Sequence, residues 1–439
     1  MNPLAILFFV VGAVYIWKLP RRKAFIPLLA TASFMTGAEI EIGPAHFTVL
    51  RLVLLVGVLR INARREKPTF GWQWADKLML AWGMALVGTS IFHEEFGSTV
   101  VYRLGLAFDH LAMYFLLRVF IDGFDSIKRI SRIILIFLIP LAALMLIEKF
   151  TGRNCFGFLG GVPEISALRH GKVRAQGCFA HAILAGTVGA ACFPLALLFW
   201  KTERRVAVMG AIAALGIVYA SGSSGPIMTT LTIIMALFIW KIRWQMKTIR
   251  WGAISMIILL SLVMQDPVYY LIARIDITGG STGWHRAELI HAAITHIDEW
   301  WLGGTDYTRH WMPTGVEWNA KHTDITNHYI KMGVWGGLLM VILFISVLVV
   351  SFVSIGKILR SKGRLTQDER ILTWVLGCIL FGHATTFISV SYYDQSLLYY
   401  YFVLASICTA RAMLLKQKPV PAVPVSEGKQ PDPAGAACV

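Results

Sequence analysis

Charge is scarce in this sequence: 15% of its 439 residues are Asp, Glu, Lys or Arg, against 56% hydrophobic, and the mean hydropathy is +0.63. A soluble domain of that size could not keep so much apolar surface from water, so the bilayer has to act as the apolar solvent. Acids are scarcer still, 25 against 41 Lys and Arg. The bases sit in short clusters between apolar runs rather than along one amphipathic face. That pattern excludes a nucleic-acid footprint and reads as topology signals. The six cysteines, at 155, 178, 192, 378, 408 and 438, lack C-x-x-C spacing, so neither a zinc cluster nor a disulfide framework is indicated, and only a Cys155–Cys178 pair stays open. Internal repeats are missing, as are the paired Gly/Pro-broken helices of inverted-repeat transporters.

What is present is a train of apolar runs of about 17–25 residues, each able to cross about 30 Å of hydrocarbon as a helix. They predict an all-α fold, a polytopic transmembrane helix bundle of about twelve or thirteen spans. The spans fall at 3–18, 24–38, 46–61, 75–92, 102–120, 130–147, 177–200, 206–220, 225–240, 250–264, 328–353, 370–390 and 397–412. A second span follows the first directly with no small-residue cleavage site between them, so the first run is not a cleaved signal. Basic clusters such as Arg21, Arg22 and Lys23, Lys201, Arg204 and Arg205, or Lys241, Arg243 and Lys247 mark alternate connections as cytoplasmic. The chain then divides into N-terminal spans (1–147), a basic outward loop (148–176), central spans (177–264), a long outward loop carrying short helices (265–327), C-terminal spans (328–412) and a Pro/Ala-rich tail (413–439) expected to be disordered and cytoplasmic.

The two outward loops hold the chemistry. The first carries Lys149, Arg153, Arg169, Lys172 and Arg174 against Glu148 and Glu164, on the side where basic loops are disfavoured. It is either a local exception to that rule or a surface for anionic phosphate, which arginine grips with two parallel hydrogen bonds. The long loop holds Trp284, Trp300, Trp301, Trp311 and Trp318, which suit membrane-interface anchoring or stacking on sugar faces. Residues 284–298 carry Ala287, Ile290, Ile294 and Ile297 at helical spacing, predicting a short amphipathic helix capped near Ser281 or Thr282, with Arg286 in its first turn. His291 and His296 lie about 140° apart on such a helix and cannot make the i, i+4 pair of a zinc site. No outward loop holds a D-x-D pair. These absences point away from a metal-dependent mechanism and from any cofactor. His328 stands where the long loop re-enters the membrane, at a helix start near Thr326 or Asn327; it suits a structural hydrogen bond or the work of a general base.

Four stretches, IEKFTGRN (147–154), VRAQGCFAHAILAG (173–186), GWHRAELIHAAI with WWLGGTDYT (283–294, 300–308) and TNHYIKMGVWGG (326–337), come in an order that resembles the O-antigen ligase and O-antigen polymerase superfamily of bacterial envelope glycosyltransferases. The likeness covers about residues 140–355. It implies a metal-independent inverting transfer from a polyprenyl-diphosphate-linked glycan to an acceptor hydroxyl on a glycan or lipid, at the periplasmic face of the inner membrane, with no nucleic acid involved and other polysaccharide assembly proteins as partners. Polymerase is preferred to ligase because nothing points to a lipid A core acceptor. Carried to matching positions, Arg174 and Arg286 would hold the diphosphate, His328 would orient or deprotonate the acceptor, and Arg169, Lys172, Trp284 and His291 would support them. SGSSGPIM (221–228) departs from the family's Ser-Arg-Gly turn, which puts a phosphate contact there in doubt. The competing class is a transporter or flippase of lipid-linked oligosaccharide, whose signature would be ionisable groups inside the bundle, with Asp109, His110, His383 and His181 as candidates.

Overall fold

The computed structural model describes residues 2–42, 45–169, 171–274, 283–361 and 363–416, so the tail from 417 onward and the cap expected at Ser281 or Thr282 lie outside the described residues. The chain is an all-α polytopic bundle. Its helices are α1 (Pro3–Lys18), α2 (Phe25–Phe34), α3 (Val49–Ala63), α4 (Trp74–Gly88), α5 (Phe96–Phe120), α6 (Phe124–Thr151), α7 (Ala182–Cys192), α8 (Arg204–Ser221), α9 (Ser224–Phe238), α10 (Met246–Val263), α11 (Gly283–Thr295), α12 (Ile297–Trp300), α13 (His328–Leu359), α14 (Gln367–Thr386) and α15 (Ser396–Lys416). Two antiparallel hairpins sit in the loops, β1 (Glu39–Ile42) with β2 (Ala45–Thr48) and β3 (Leu168–Arg169) with β4 (Lys172–Val173).

Every expected span coincides with a helix, and among the described residues 7 helical segments are long and apolar enough to cross a membrane unaided. The shortfall from the expected number lies mostly in the N-terminal third. With 10 residues, α2 is about 15 Å long, half the hydrocarbon thickness, and the chain leaves it in extended form at Met35. The C-terminal helix runs to Lys416, a few residues into what reads as tail from composition. Cys155 and Cys178 are both free thiols, which removes the one disulfide that spacing left open.

A helix that is apolar on every side belongs inside a bundle, and α15 is one: Tyr399, Tyr400, Tyr401 and Phe402 are all buried, and the helix packs on α5, α13 and α14. Around it α6 lies along α8, α7 against α8 and α9, and α4 against α13. A buried ion pair ties α4 to α5: Arg118 donates to Asp76 at 2.8 and 2.9 Å, and the Tyr114 hydroxyl donates to the same carboxylate at 2.7 Å.

The feature that positions the long loop is a break in α13 at Gly336 and Gly337, the latter at φ 71°. Leu338 N–H donates to the Trp301 carbonyl at 2.8 Å, and Thr305 N–H donates to the Val334 carbonyl at 3.1 Å. A Cβ on Gly304, at φ 91°, would stand 2.3 Å from the Val334 oxygen. The segment Trp300–Gly304 therefore plugs the break by direct backbone contact, which only glycine allows at so short a distance. Two stretches that are remote in sequence become one structural unit.

Candidate functional site

The basic loop is organised by an acid that does not neutralise it. Glu148, fully buried at the end of α6, accepts from Ser166 Oγ at 2.9 Å and from the backbone N–H groups of Gln176 at 2.9 Å and Gly177 at 2.8 Å. Its charge is spent on pinning both ends of the loop. Between them β3 and β4 form a hairpin in which Arg169 faces Lys172, and the ladder continues as Arg174 N–H donates to the Ala167 carbonyl at 3.0 Å. Strand alternation puts Arg169, Lys172 and Arg174 on one face of this hairpin.

Arg174 also reaches the turn after α8, where its Nη2 donates to Ser223 Oγ at 2.8 Å. The same turn lies close to Lys149, which donates to the Val173 carbonyl; a Cβ on Gly222 would be 3.1 Å from Lys149 Nζ. The turn SGSSG thus contributes to the site as a holder of the arginine. Arg286 arrives from α11 in the long loop. Burial, and then the guanidinium groups of Arg169 and Arg286, hold the Arg174 pKa below its usual value; burial and Arg169 do the same to Arg286, with Asp324 acting against them. The Nε atoms of Arg174 and Arg286 are both buried with no hydrogen-bond partner, and among the described residues no ion pair joins Arg169, Lys172, Arg174 or Arg286 to a carboxylate. Arg169, Arg174 and Arg286 are half-buried and Lys172 is exposed, so the cluster is open to solvent while two of its guanidinium nitrogens are buried without an acceptor, an arrangement that is costly unless an anion meets it.

The other expected residues are placed differently. His328 begins α13, capped by Asn327, whose side chain accepts from Tyr329 and Ile330 N–H. It is buried rather than facing the loop: its ring stacks on Phe387 with centroids 4.8 Å apart, and its Nδ1 accepts from Tyr392 N–H at 3.1 Å. The ring borders a small cavity with Trp82, His110, Phe344 and Tyr401. Its charge neighbours are Lys331 and His110, not the arginines. His291 is exposed, with Nδ1 3.0 Å from the Tyr269 hydroxyl. Of the five tryptophans, Trp284, Trp301 and Trp318 expose more than half their surface, whereas Trp300 and Trp311 are buried and hold the loop together through Nε1 donation to the Ala293 carbonyl and to Glu299.

A second cavity of about 220 Å³ inside the bundle is bordered by Asp109 and His110, named above for the transporter reading, and by Arg51, Lys331, Trp335 and Asp394, which motif reading passed over, among others. Arg51 grips Asp109 with two bonds, at 2.9 and 2.6 Å. Lys331 lies over the Trp335 ring at 4.8 Å and the Tyr393 ring at 5.4 Å. The one sequence signal for Lys331 was its place three residues after His328, one turn along the same helix face. His110, His383 and His181 serve as hydrogen bonders, to the Tyr401 and Tyr392 hydroxyls and to the start of α7. Compared with models of known protein families and with curated proteins, the chain matches none.

Proposed function

We propose that this chain is a glycosyltransferase of the bacterial inner membrane. Its reading is a periplasmic-face enzyme that moves a glycan from a polyprenyl-diphosphate carrier to an acceptor hydroxyl, as a polymerase or ligase of surface polysaccharide. The observation that carries it is the convergence of Arg174 and Arg286 from two separate loops, each with a buried unpartnered Nε. A diphosphate supplies the charge and the oxygen atoms that such a pair lacks.

In the reaction the acceptor oxygen attacks the anomeric carbon as the bond from that carbon to the diphosphate oxygen breaks, the configuration inverts, and polyprenyl diphosphate departs, taking up the proton that the hydroxyl loses. Arg174 and Arg286, with Arg169 and Lys172 beside them, stabilise the negative charge that grows on the leaving diphosphate. His328 has its Nδ1 occupied by the Tyr392 N–H, so the neutral ring carries its proton on Nε2 and acts as a donor. Of the two roles the resemblance implies for it, that tautomer supports orienting the acceptor over removing its proton.

A second reading, a transporter of lipid-linked oligosaccharide, draws on the cavity that holds Arg51, Asp109 and Lys331 within the bundle. The lipid-linked intermediates of a cell lacking this protein separate the readings. Single repeat units on lipid at the outer face support a polymerase and long chains on lipid a ligase; repeat units held at the cytoplasmic face overturn the transferase reading in favour of transport.

A further inference from the structure

The long loop contains a second cluster that the transfer reaction does not use. We propose that His296, Glu299 and His310 form a binding site for a single transition-metal dication of the zinc class. One nitrogen from each imidazole and one carboxylate oxygen lie within 4.8 Å of one another. Tetrahedral zinc, with bonds of about 2.0–2.1 Å, spaces its ligands roughly 3.3 Å apart. The closure required is within the reach of side-chain rotation, since Glu299 and His310 are exposed and His296 is half-buried.

The groups behind the ligands are arranged as such a site needs. His296 Nδ1 is 2.9 Å from the Ala292 carbonyl, so that nitrogen carries the proton and Nε2, which has no partner among the described residues, presents its lone pair. A ring nitrogen held by a carbonyl is the usual second interaction of a metal-binding histidine. Glu299 is oriented by Trp311 Nε1–H at 2.8 Å, and His310 Nε2 stands 2.9 Å from both Glu299 oxygens. The rings are held by stacking, His296 on Trp311 at 5.9 Å and Tyr307 on His310 at 5.1 Å.

Helical periodicity could not show this set. The chain breaks at His296 (φ −100°, ψ 30°) between α11 and α12, which re-aims the imidazole, and His310 comes from a separate 3-10 turn, Arg309–Trp311. A bound dication takes the place of the proton between His310 and Glu299, which moves to Nδ1 of the same ring, and clips the end of α11 and α12 to that turn. Three protein ligands leave the fourth position to water, which makes the site exchangeable rather than sealed.

The test reads metal binding, not transfer. Full-length protein purified in detergent without a histidine tag is stripped with EDTA, dialysed, and titrated with ZnCl2 against a chromophoric chelator; Co²⁺ in place of zinc gives a visible absorption band. Wild type is expected to take one equivalent, with His296→Ala and His310→Ala each weakening Kd by at least about tenfold, as loss of one of three ligands requires. Glu299→Gln keeps an acceptor for Trp311 while removing the anionic ligand, and should weaken binding likewise if the alanine variants misfold. His291→Ala, outside the cluster, should bind as wild type does. Absence of the equivalent in wild type, or equal binding by wild type and Glu299→Gln, overturns the proposal.

Discussion

Replacing Arg174 by lysine keeps the charge and removes the planar fork. In the structure one arm of that fork, Nη2, is held by Ser223 at 2.8 Å, and Nε is buried without a partner beside Arg286. Arginine can therefore be anchored by the turn and still offer donors to a phosphate. A lysine ammonium can approach the serine or the ligand in good geometry, but not both. A hydrogen bond to a charged group contributes about 1.5–3 kcal/mol, so loss of one phosphate contact lowers kcat/KM by about tenfold to about a hundredfold. If the contact strengthens as the leaving group gains charge, the loss appears in kcat; if it is equal in the ground state, it appears in KM. The assay uses purified protein, a defined polyprenyl-diphosphate donor and gel analysis of chain length, with inorganic pyrophosphate as a competing inhibitor. Arg153→Lys, an exposed change in the same loop, is the control and should leave the rate near wild type. A lysine variant with wild-type kcat/KM and undiminished inhibition by pyrophosphate would refute the assignment and return Arg174 to a structural role.

His328→Ala should lower transfer by about 10²–10³-fold, the usual cost of losing an oriented donor, while donor binding measured by pyrophosphate inhibition persists; loss of both together would mark the residue as structural. Asp76→Ala leaves Arg118 buried without its partner and should reduce stability by roughly 3–5 kcal/mol, seen as a lower Tm in detergent; an unchanged Tm would contradict the buried pair. Burial raises the Asp394 carboxyl to about 6 from 3.8, against opposing bonds from Ser396 and Ala180 N–H. Its contribution to stability is then full below about pH 3.8 and is lost as pH rises through about 6, so Asp394→Asn should flatten Tm across that window and an unaltered pH profile would exclude it. For topology, single cysteines at the exposed positions Leu168 and Thr314 should both react with an impermeant reagent in intact cells with a permeabilised outer membrane. Ser166, in the same loop, is buried against Glu148 and is a poor probe. Labelling only after the inner membrane is opened would reverse the orientation.

Apolar run length and the alternation of basic clusters were enough to place a helix at every expected span, because in hydrocarbon each segment must satisfy its own backbone and therefore announces itself locally. The same local logic located the start of α13 at Asn327 and the short helix that bears Arg286. Arg169, Lys172 and Arg174 were legible as a surplus of charge in a loop where charge of that sign is disfavoured. Tertiary structure alone decided what these residues meet. The hairpin turns three cations to one face, Ser223 anchors Arg174 from a turn 49 residues away, and Arg286 joins them from α11. It also decided that His328 lies among aromatic rings rather than at the loop, and that His296, Glu299 and His310 gather across a helix break. Periodicity reports only neighbours on one continuous element; contacts made across loops and through the break at Gly336 and Gly337 depend on packing between elements, which no local pattern encodes.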